Sequence, residues 1–138
     1  MKRVTFLLLI TVFSFTFLSC GSKEVTRQDL IGTYVANYAK DEVKSDSIEV
    51  KEDGTYFHKF ESAKNEGDSF TNTGTWYFKY VDQYPAIFFI NFNMGYAPNE
   101  TLEQLKKTWG GFWSANVEDG GESLLISPDN GLYYEKQN

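Results

Sequence analysis

The stretch "DSIEVKEDGTYFHKF", Asp46–Phe60, decides the fold. Ile48 and Val50 alternate with Ser47, Glu49 and Lys51, the period of a strand with one face against a core. Asp53-Gly54 interrupts the pattern, and Tyr56, His58 and Phe60 resume it on the return. An Asp-Gly between two alternating runs signals a hairpin, because both residues tolerate positive φ. His58 shares parity with Tyr56 and Phe60, so it is expected to pack or hydrogen-bond at a sheet face.

On the N-terminal side, "AKDEVKSD" (39–46) reads as a charged loop. Before it, a helical turn capped by Thr26, with Leu30 and Ile31 apolar, leads into a strand over 33–38. On the C-terminal side, "ESAKNEGD" (61–68) is a second polar loop. Phe70, Asn72, Gly74, Trp76, Phe78 and Tyr80 then share one parity. One long strand bent at Gly74 is the preferred reading, since glycine within a strand marks a bend or bulge; two strands turning at 72–74 are the alternative. "PAIFFINF" (85–92) is apolar on both faces, so it reads as a strand covered on both sides. "NETLEQLKKTW" (99–109) has capping-box spacing at Thr101 and Gln104, with Leu102, Leu105 and Trp109 on one helical face. Capping is also the preferred reading of Asn99-Glu100-Thr101 over its match to a glycan acceptor. Strands over 112–117, 123–126 and 132–135 complete the chain, the last two joined at "SPDNG" (127–131). This pattern predicts an all-β fold, a small antiparallel barrel or sandwich of about eight strands with one short helix near 100–109.

The 138-residue chain holds a single cysteine, Cys20, at the foot of an apolar run. Lys2 and Arg3 precede Val4–Leu18, which carries no charge. A basic start, a short apolar stretch and a small residue before the cut describe a secretory signal, and the run is short for a spanning helix. Its end, "FLSC" (17–20), resembles the processing site of bacterial lipoproteins, with Phe17 where that family commonly has leucine. The resemblance implies a signal peptide over 1–19, removed by cleavage before Cys20, whose thiol carries diacylglycerol and whose new amine takes a further acyl chain such as palmitate. Residues 20–26 then form a tether and 27–138 a single domain. Attachment to the membrane would run through this N-terminal lipid, and several acyl chains anchor stably. Gly21 and Ser22 are not acidic, which in that family points to the outer membrane of the cell envelope.

Residues 1–19 account for Lys2 and Arg3 among 13 basic residues, leaving 11 against 19 acidic ones. That balance excludes a basic footprint for nucleic acid and a polybasic grip on anionic lipid. The domain is dense in aromatic side chains, and "GTY" (32–34), "EDGTYF" (52–57) and "GTWYF" (74–78) resemble small lipocalin-like domains of bacterial envelope proteins. That resemblance implies a barrel able to carry a small hydrophobic ligand. Tyr34, Tyr56, Phe60, Phe70, Trp76, Phe78 and Tyr80 are the candidate ligand-facing residues; the alternative is that they fill a small barrel.

Catalytic candidates are few. His58 is the only histidine, and the lipid reading consumes the only thiol, which removes Cys-His catalysis and Cys/His zinc sites. No nucleophile elbow and no phosphate-cradling glycine motif occurs, and the acidic turns lack calcium-loop spacing. No metal or other cofactor is called for. Carboxylate-only hydrolysis needs two acids; Asp46, Glu49, Glu52, Asp53, Glu118, Asp119 and Glu122 are available but are expected to be solvated. The leading expectation is a non-enzymatic envelope lipoprotein that binds a partner protein or maintains the envelope. A carrier of a small hydrophobic ligand comes second and a carboxylate-only hydrolase third.

Overall fold

At the Asp53-Gly54 turn, the Asp53 carboxylate accepts hydrogen bonds from the Thr55 N–H (2.9 Å) and hydroxyl (2.6 Å). Those bonds hold its carboxyl below the usual carboxylate range. Gly54 takes φ +87°, and the Lys51 N–H closes the turn onto the Thr55 carbonyl at 3.0 Å. These details come from a computed structural model that describes residues 23–37, 41–97, 99–127 and 131–138.

Eight antiparallel strands follow one another round a closed barrel, β1 Gly32–Ala36, β2 Val43–Val50, β3 Thr55–Ser62, β4 Phe70–Val81, β5 Tyr84–Phe92, β6 Gly111–Glu118, β7 Ser123–Ser127 and β8 Leu132–Lys136. Closure comes from β1 against β8, with Val35 opposite Glu135. Each strand pairs with its neighbour in sequence, so hairpins suffice for every connection but one. The exception is 93–110, which joins β5 to β6 and carries α1, Leu102–Lys106.

The alternation in the sequence becomes inside and outside. Ile48, Val50, Tyr56, Phe60, Trp76, Ile87, Phe89, Ala115, Val117, Leu124 and Tyr134 are buried. Rings meet in the interior: Tyr56 lies 5.2 Å from Phe89 edge-on, and Phe60 stacks on Phe70 at 5.3 Å. Each such side chain contributes roughly 1.5–3 kcal/mol on burial. Apolar side chains cover part of each end. At one, Leu105 of α1 and Met94 are buried, while Trp109 packs 4.5 Å from Phe70 and donates to the Met94 carbonyl at 3.0 Å. At the other, the 3-10 turn Arg27–Leu30 buries Leu30, and Arg27 lies 4.5 Å over the Trp76 ring.

Asp29 fixes that turn. Its carboxylate accepts from the Thr26 N–H (2.9 Å), the Thr26 hydroxyl (2.7 Å) and Lys23 Nζ (2.6 Å), while its carbonyl accepts from Lys136 Nζ at 2.6 Å. The Lys23 bond first, and the Thr26 bonds after it, hold the Asp29 carboxyl well below the usual carboxylate range.

Several boundaries differ from the sequence reading. β2 starts at Val43, so half of the expected charged loop is strand, with a bulge between Val43 and Ser45. Phe70–Val81 is a single strand, and the turn at 72–74 does not occur. The helix is only five residues long, because Trp109 leaves the helical face to cover the barrel end. β1 ends at Ala36 within the described residues, and β7 runs on to Ser127. Tyr38, residues 39–40 and 128–130, and everything before Lys23, including the signal, Cys20 and the first part of the tether, lie outside the described residues. Within them no helix is long and apolar enough to cross a membrane.

Gly74 pairs with Tyr56, whose ring lies over it. A Cβ at position 74 would sit 2.1 Å from the Ile90 carbonyl oxygen and 2.7 Å from Tyr56 Cε1. Gly74→Ala should therefore lower stability by about 1–3 kcal/mol. Urea denaturation should show this as a lower midpoint with an unchanged slope; an unaltered midpoint would contradict the packing described.

Candidate functional site

The polar groups buried inside the barrel form one network. Asp46 of β2 and His58 of β3 are 1% and 0% exposed. His58 Nε2 lies 2.7 Å from Asp46 Oδ1, and the Tyr134 hydroxyl of β8 donates to Asp46 Oδ2 at 2.9 Å. On the other side of the ring, His58 Nδ1 is 3.2 Å from Asn72 Oδ1 of β4. The Asn72 amide donates to the Asn91 carbonyl at 2.5 Å and to the Tyr56 hydroxyl at 3.2 Å. Tyr56 in turn donates to the same Asn91 carbonyl at 2.7 Å. No buried side-chain nitrogen or oxygen among the described residues lacks a partner.

Local geometry explains how these groups reach one another. Asp46 shares parity with Ile48 and Val50, so the strand that buries them also turns the carboxylate inward. Asn91 takes φ +64° where the β5–β6 register shifts between Ile90 and Phe92. That bulge places its carbonyl within reach of Tyr56 and Asn72. Phe92 then stacks on the His58 ring at 4.6 Å and 11°, and Phe70 meets it edge-on at 5.5 Å.

The direction of the Asn72 amide is dictated by the Asn91 carbonyl, which can only accept. Its oxygen must then face His58. Both imidazole nitrogens consequently meet oxygens, the Asp46 carboxyl on one side and the Asn72 amide carbonyl on the other. In a catalytic triad the second nitrogen would face a hydroxyl or thiol nucleophile. Here Asn72 Oδ1 occupies that place, and neither His58 nor Asp46 is open to solvent. The arrangement is suited to holding strands together, and it gives substrate no approach to the imidazole.

Asp46 was expected on the solvated side and is instead among the most buried polar residues, because the strand begins earlier than its charges suggest. Glu49, Glu52, Asp53, Glu118, Asp119 and Glu122 are exposed, as expected. Among the described residues no group of acidic, histidine or cysteine side chains is placed to hold a metal.

Of the candidate ligand-facing aromatics, Tyr34, Tyr56, Phe60 and Trp76 are buried, Phe70 and Phe78 half-buried, and Tyr80 exposed. Each has a packing or hydrogen-bonding role. The Tyr34 hydroxyl donates to the Gly121 carbonyl at 2.7 Å, Trp76 Nε1 to the Lys51 carbonyl at 2.8 Å, and Tyr80 to the Val25 carbonyl at 2.9 Å. Phe89, Phe92, Trp109 and Tyr134, none of them among the candidate ligand-facing residues, complete the filling of the interior.

A second aromatic group lies outside the barrel. Tyr77 stacks on Phe88 at 4.9 Å and 8°, Phe88 lies 5.4 Å from Phe112, and Lys79 Nζ sits 4.9 Å from the Phe88 ring. Phe88 is buried beneath its neighbours, whereas Tyr77, Ile90 and Phe112 are 37%, 45% and 57% exposed. This is how β5 comes to be covered on both faces: rings inside, and a thin aromatic layer outside. No family model, curated protein or solved structure matches the chain, so its function is read from these residues.

Removing one member of the Asp46–His58 pair should be far more costly than removing both. Asp46→Ala alone should destabilise by about 3–5 kcal/mol, while a double replacement by apolar residues of similar volume, Asp46→Leu with His58→Phe, should recover much of that loss. Urea titrations of the three proteins would decide it; equal stability of the single and double variants would contradict the pairing.

Burial also pushes the hydroxyls of Tyr34 and Tyr56 upward. Tyr34 goes above the ordinary tyrosine range, helped by the Glu122 and Asp29 charges. Tyr56 rises to about 12, against a lowering bond from Asn72. The folded state holds these protons more tightly than the unfolded chain, whose tyrosines ionise near pH 10. Their contribution is therefore complete below pH ~10 and is lost as pH rises towards ~12 and beyond. Absorbance at 295 nm should show most tyrosines ionising first and a last step coinciding with unfolding, smaller in Tyr34→Phe and Tyr56→Phe. A single early transition without unfolding would refute it.

Proposed function

We propose that the chain is a lipid-anchored, non-enzymatic protein of the bacterial cell envelope that binds a partner protein through the outer wall of its barrel. The observation that carries the binding role is the external apolar group, the rings of Tyr77, Phe88 and Phe112 with Ile90, standing on a barrel whose interior is occupied by its own side chains. Exposed apolar surface of this kind marks interaction sites, and aromatic residues are enriched at the centres of interfaces. The filled interior favours this outer face over the lumen as the place of binding. The anchor is supported by "FLSC" and by a domain assembled without any thiol, since Cys20 is the only one. Gly21 and Ser22 support residence in the outer membrane.

Two measurements test the proposal. A clickable fatty acid fed to cells should label the full-length chain and should not label Cys20→Ser, which should also leave the membrane fraction. A photo-crosslinking residue at Phe112 should give a discrete protein adduct that the same residue at the exposed Glu135 does not. Labelling of neither chain would sink the anchor. Loss of the adduct, or equal adducts at both positions, would sink the binding face.

A further inference from the structure

We infer that the tip of the β4–β5 hairpin is a membrane-docking element, seating Tyr80, Val81 and Tyr84 among the lipid headgroups beside the anchor. The inference rests on the lipid-anchor reading and adds to it an orientation and a second point of contact.

The register shows that this hairpin projects. Pairing of β3 with β4 ends at Thr55–Thr75, whereas β4 runs on to Val81. Pairing of β5 with β6 ends at Ala86–Asn116, and Tyr84 and Pro85 lie beyond it. Asp82 and Gln83 both have positive φ, +47° and +72°. A two-residue turn of this kind suits a tight, twisted hairpin, and Val81 and Tyr84 pair across it. At this tip Tyr80, Val81 and Tyr84 are 40%, 41% and 72% exposed. A projecting hairpin with two exposed tyrosines and a valine is costly in water, and the amphipathic tyrosine ring is favoured at a membrane–water boundary.

The chain enters the barrel at the same end. The Tyr80 hydroxyl donates to the Val25 carbonyl at 2.9 Å. Lys23, Glu24 and Val25 share a cleft of about 470 Å³ with Tyr80, Tyr84 and Pro85. Asp29, with its bonds to Lys23, Thr26 and Lys136, fixes that entry to the barrel. Cys20 precedes Lys23 by three residues, a reach of about 11 Å at most. A lipid on Cys20 therefore holds this end of the barrel within about that distance of the headgroups. The occupant that the short tether delivers to the tip is the bilayer itself. The cleft itself is lined by Lys23 against Glu24, Glu118 and Asp119, and Lys79, Arg27 and Lys136 at this end are matched by Asp29, Asp82 and Glu122, so attraction to anionic lipid is not the driving interaction.

The test uses the full-length, lipidated protein on vesicles of phosphatidylethanolamine and phosphatidylglycerol. Nitroxide labels are placed by Tyr84→Cys, by Val81→Cys and, at the opposite end of the barrel, by Ala63→Cys. The acylated Cys20 does not react. At positions 84 and 81, accessibility to a water-soluble nickel chelate should fall severalfold relative to the soluble Cys20→Ser protein, while oxygen accessibility rises. Position 63 should not change. If 84 and 81 remain as open to nickel as 63 on a protein that carries lipid and floats with the vesicles, the docking is wrong and the anchor stands. If nickel access falls without a gain in oxygen, and labels at 84 broaden one another, the tip contacts a second copy and the inference is overturned. If the protein carries no lipid and does not float, the anchor fails and the docking falls with it.

Discussion

The buried pairing of Asp46 with His58 is the constraint around which the barrel is organised. A carboxylate or an imidazolium alone in this interior would cost several kcal/mol, so each is tolerable only beside the other. The pair is not self-sufficient. Its remaining hydrogen-bonding positions are met by Tyr134 from β8 and Asn72 from β4, and Asn72 is oriented by a carbonyl from the β5 bulge. One network thus reaches β2, β3, β4, β5 and β8. A slip of one residue between β2 and β3 would turn Asp46 outward while His58 stayed inside, or the reverse. The same slip would turn Ile48 and Val50 outward, so a stranded charge would add to a loss of apolar burial. The network therefore specifies register, as well as contributing to stability.

Around that network the aromatic side chains divide into two populations with different physical roles. The inner rings, from Tyr56 and Phe89 to Phe92 and Trp109, are locked by mutual contacts and by hydroxyl or indole bonds to backbone carbonyls. An eight-stranded barrel has just enough interior for side chains of this size. The outer rings share a single feature: each lies on β4, β5 or β6, the two strands of the longest hairpin and the strand paired to β5. β5 is the common member, with Ile87 and Phe89 facing in and Phe88 and Ile90 facing out. Its two-sided apolarity is normally a mark of a strand between layers, yet in this chain no second layer exists among the described residues.

Period and turn chemistry made most of the fold legible in the sequence. Asp53-Gly54 declared its hairpin because only a few residues take positive φ cheaply, and the shared parity of Phe70 to Tyr80 foretold a single strand. What alternation could not convey was where β2 starts, because Lys44, Asp46 and their neighbours read as a solvated loop. The parity of Asp46 with Ile48 and Val50 was a signal pointing inward, masked by the residue's charge. Its partner Tyr134 is 88 positions away and comes beside it only through barrel closure. Asn72 likewise gave no local sign, since its role is set by a bulge at Asn91 that no periodicity announces. Trp109 fitted a helical face on paper, but covering the barrel end outweighed one further turn of a marginal helix.

The two ends of the barrel differ in a way that gives the molecule a direction. One is capped by α1 and the connection that carries it. The other receives the chain at a turn pinned by Asp29 and bears the projecting β4–β5 hairpin. The external aromatic group is neither at the tip nor at the capped end. Phe88 and Ile90 lie four and six residues along β5 from Tyr84, about 13 and 20 Å at the usual strand rise. Strand tilt shortens that height without abolishing it. With the hairpin end held at a membrane, Tyr77, Phe88, Ile90 and Phe112 would stand on the side wall, above the headgroups. In the proposed arrangement a lipid on Cys20 would not reach them, and a partner would approach them laterally. Burial against a neighbouring protein in the plane of the membrane would satisfy that geometry, and the proposed binding surface would then be separate from the proposed anchoring one.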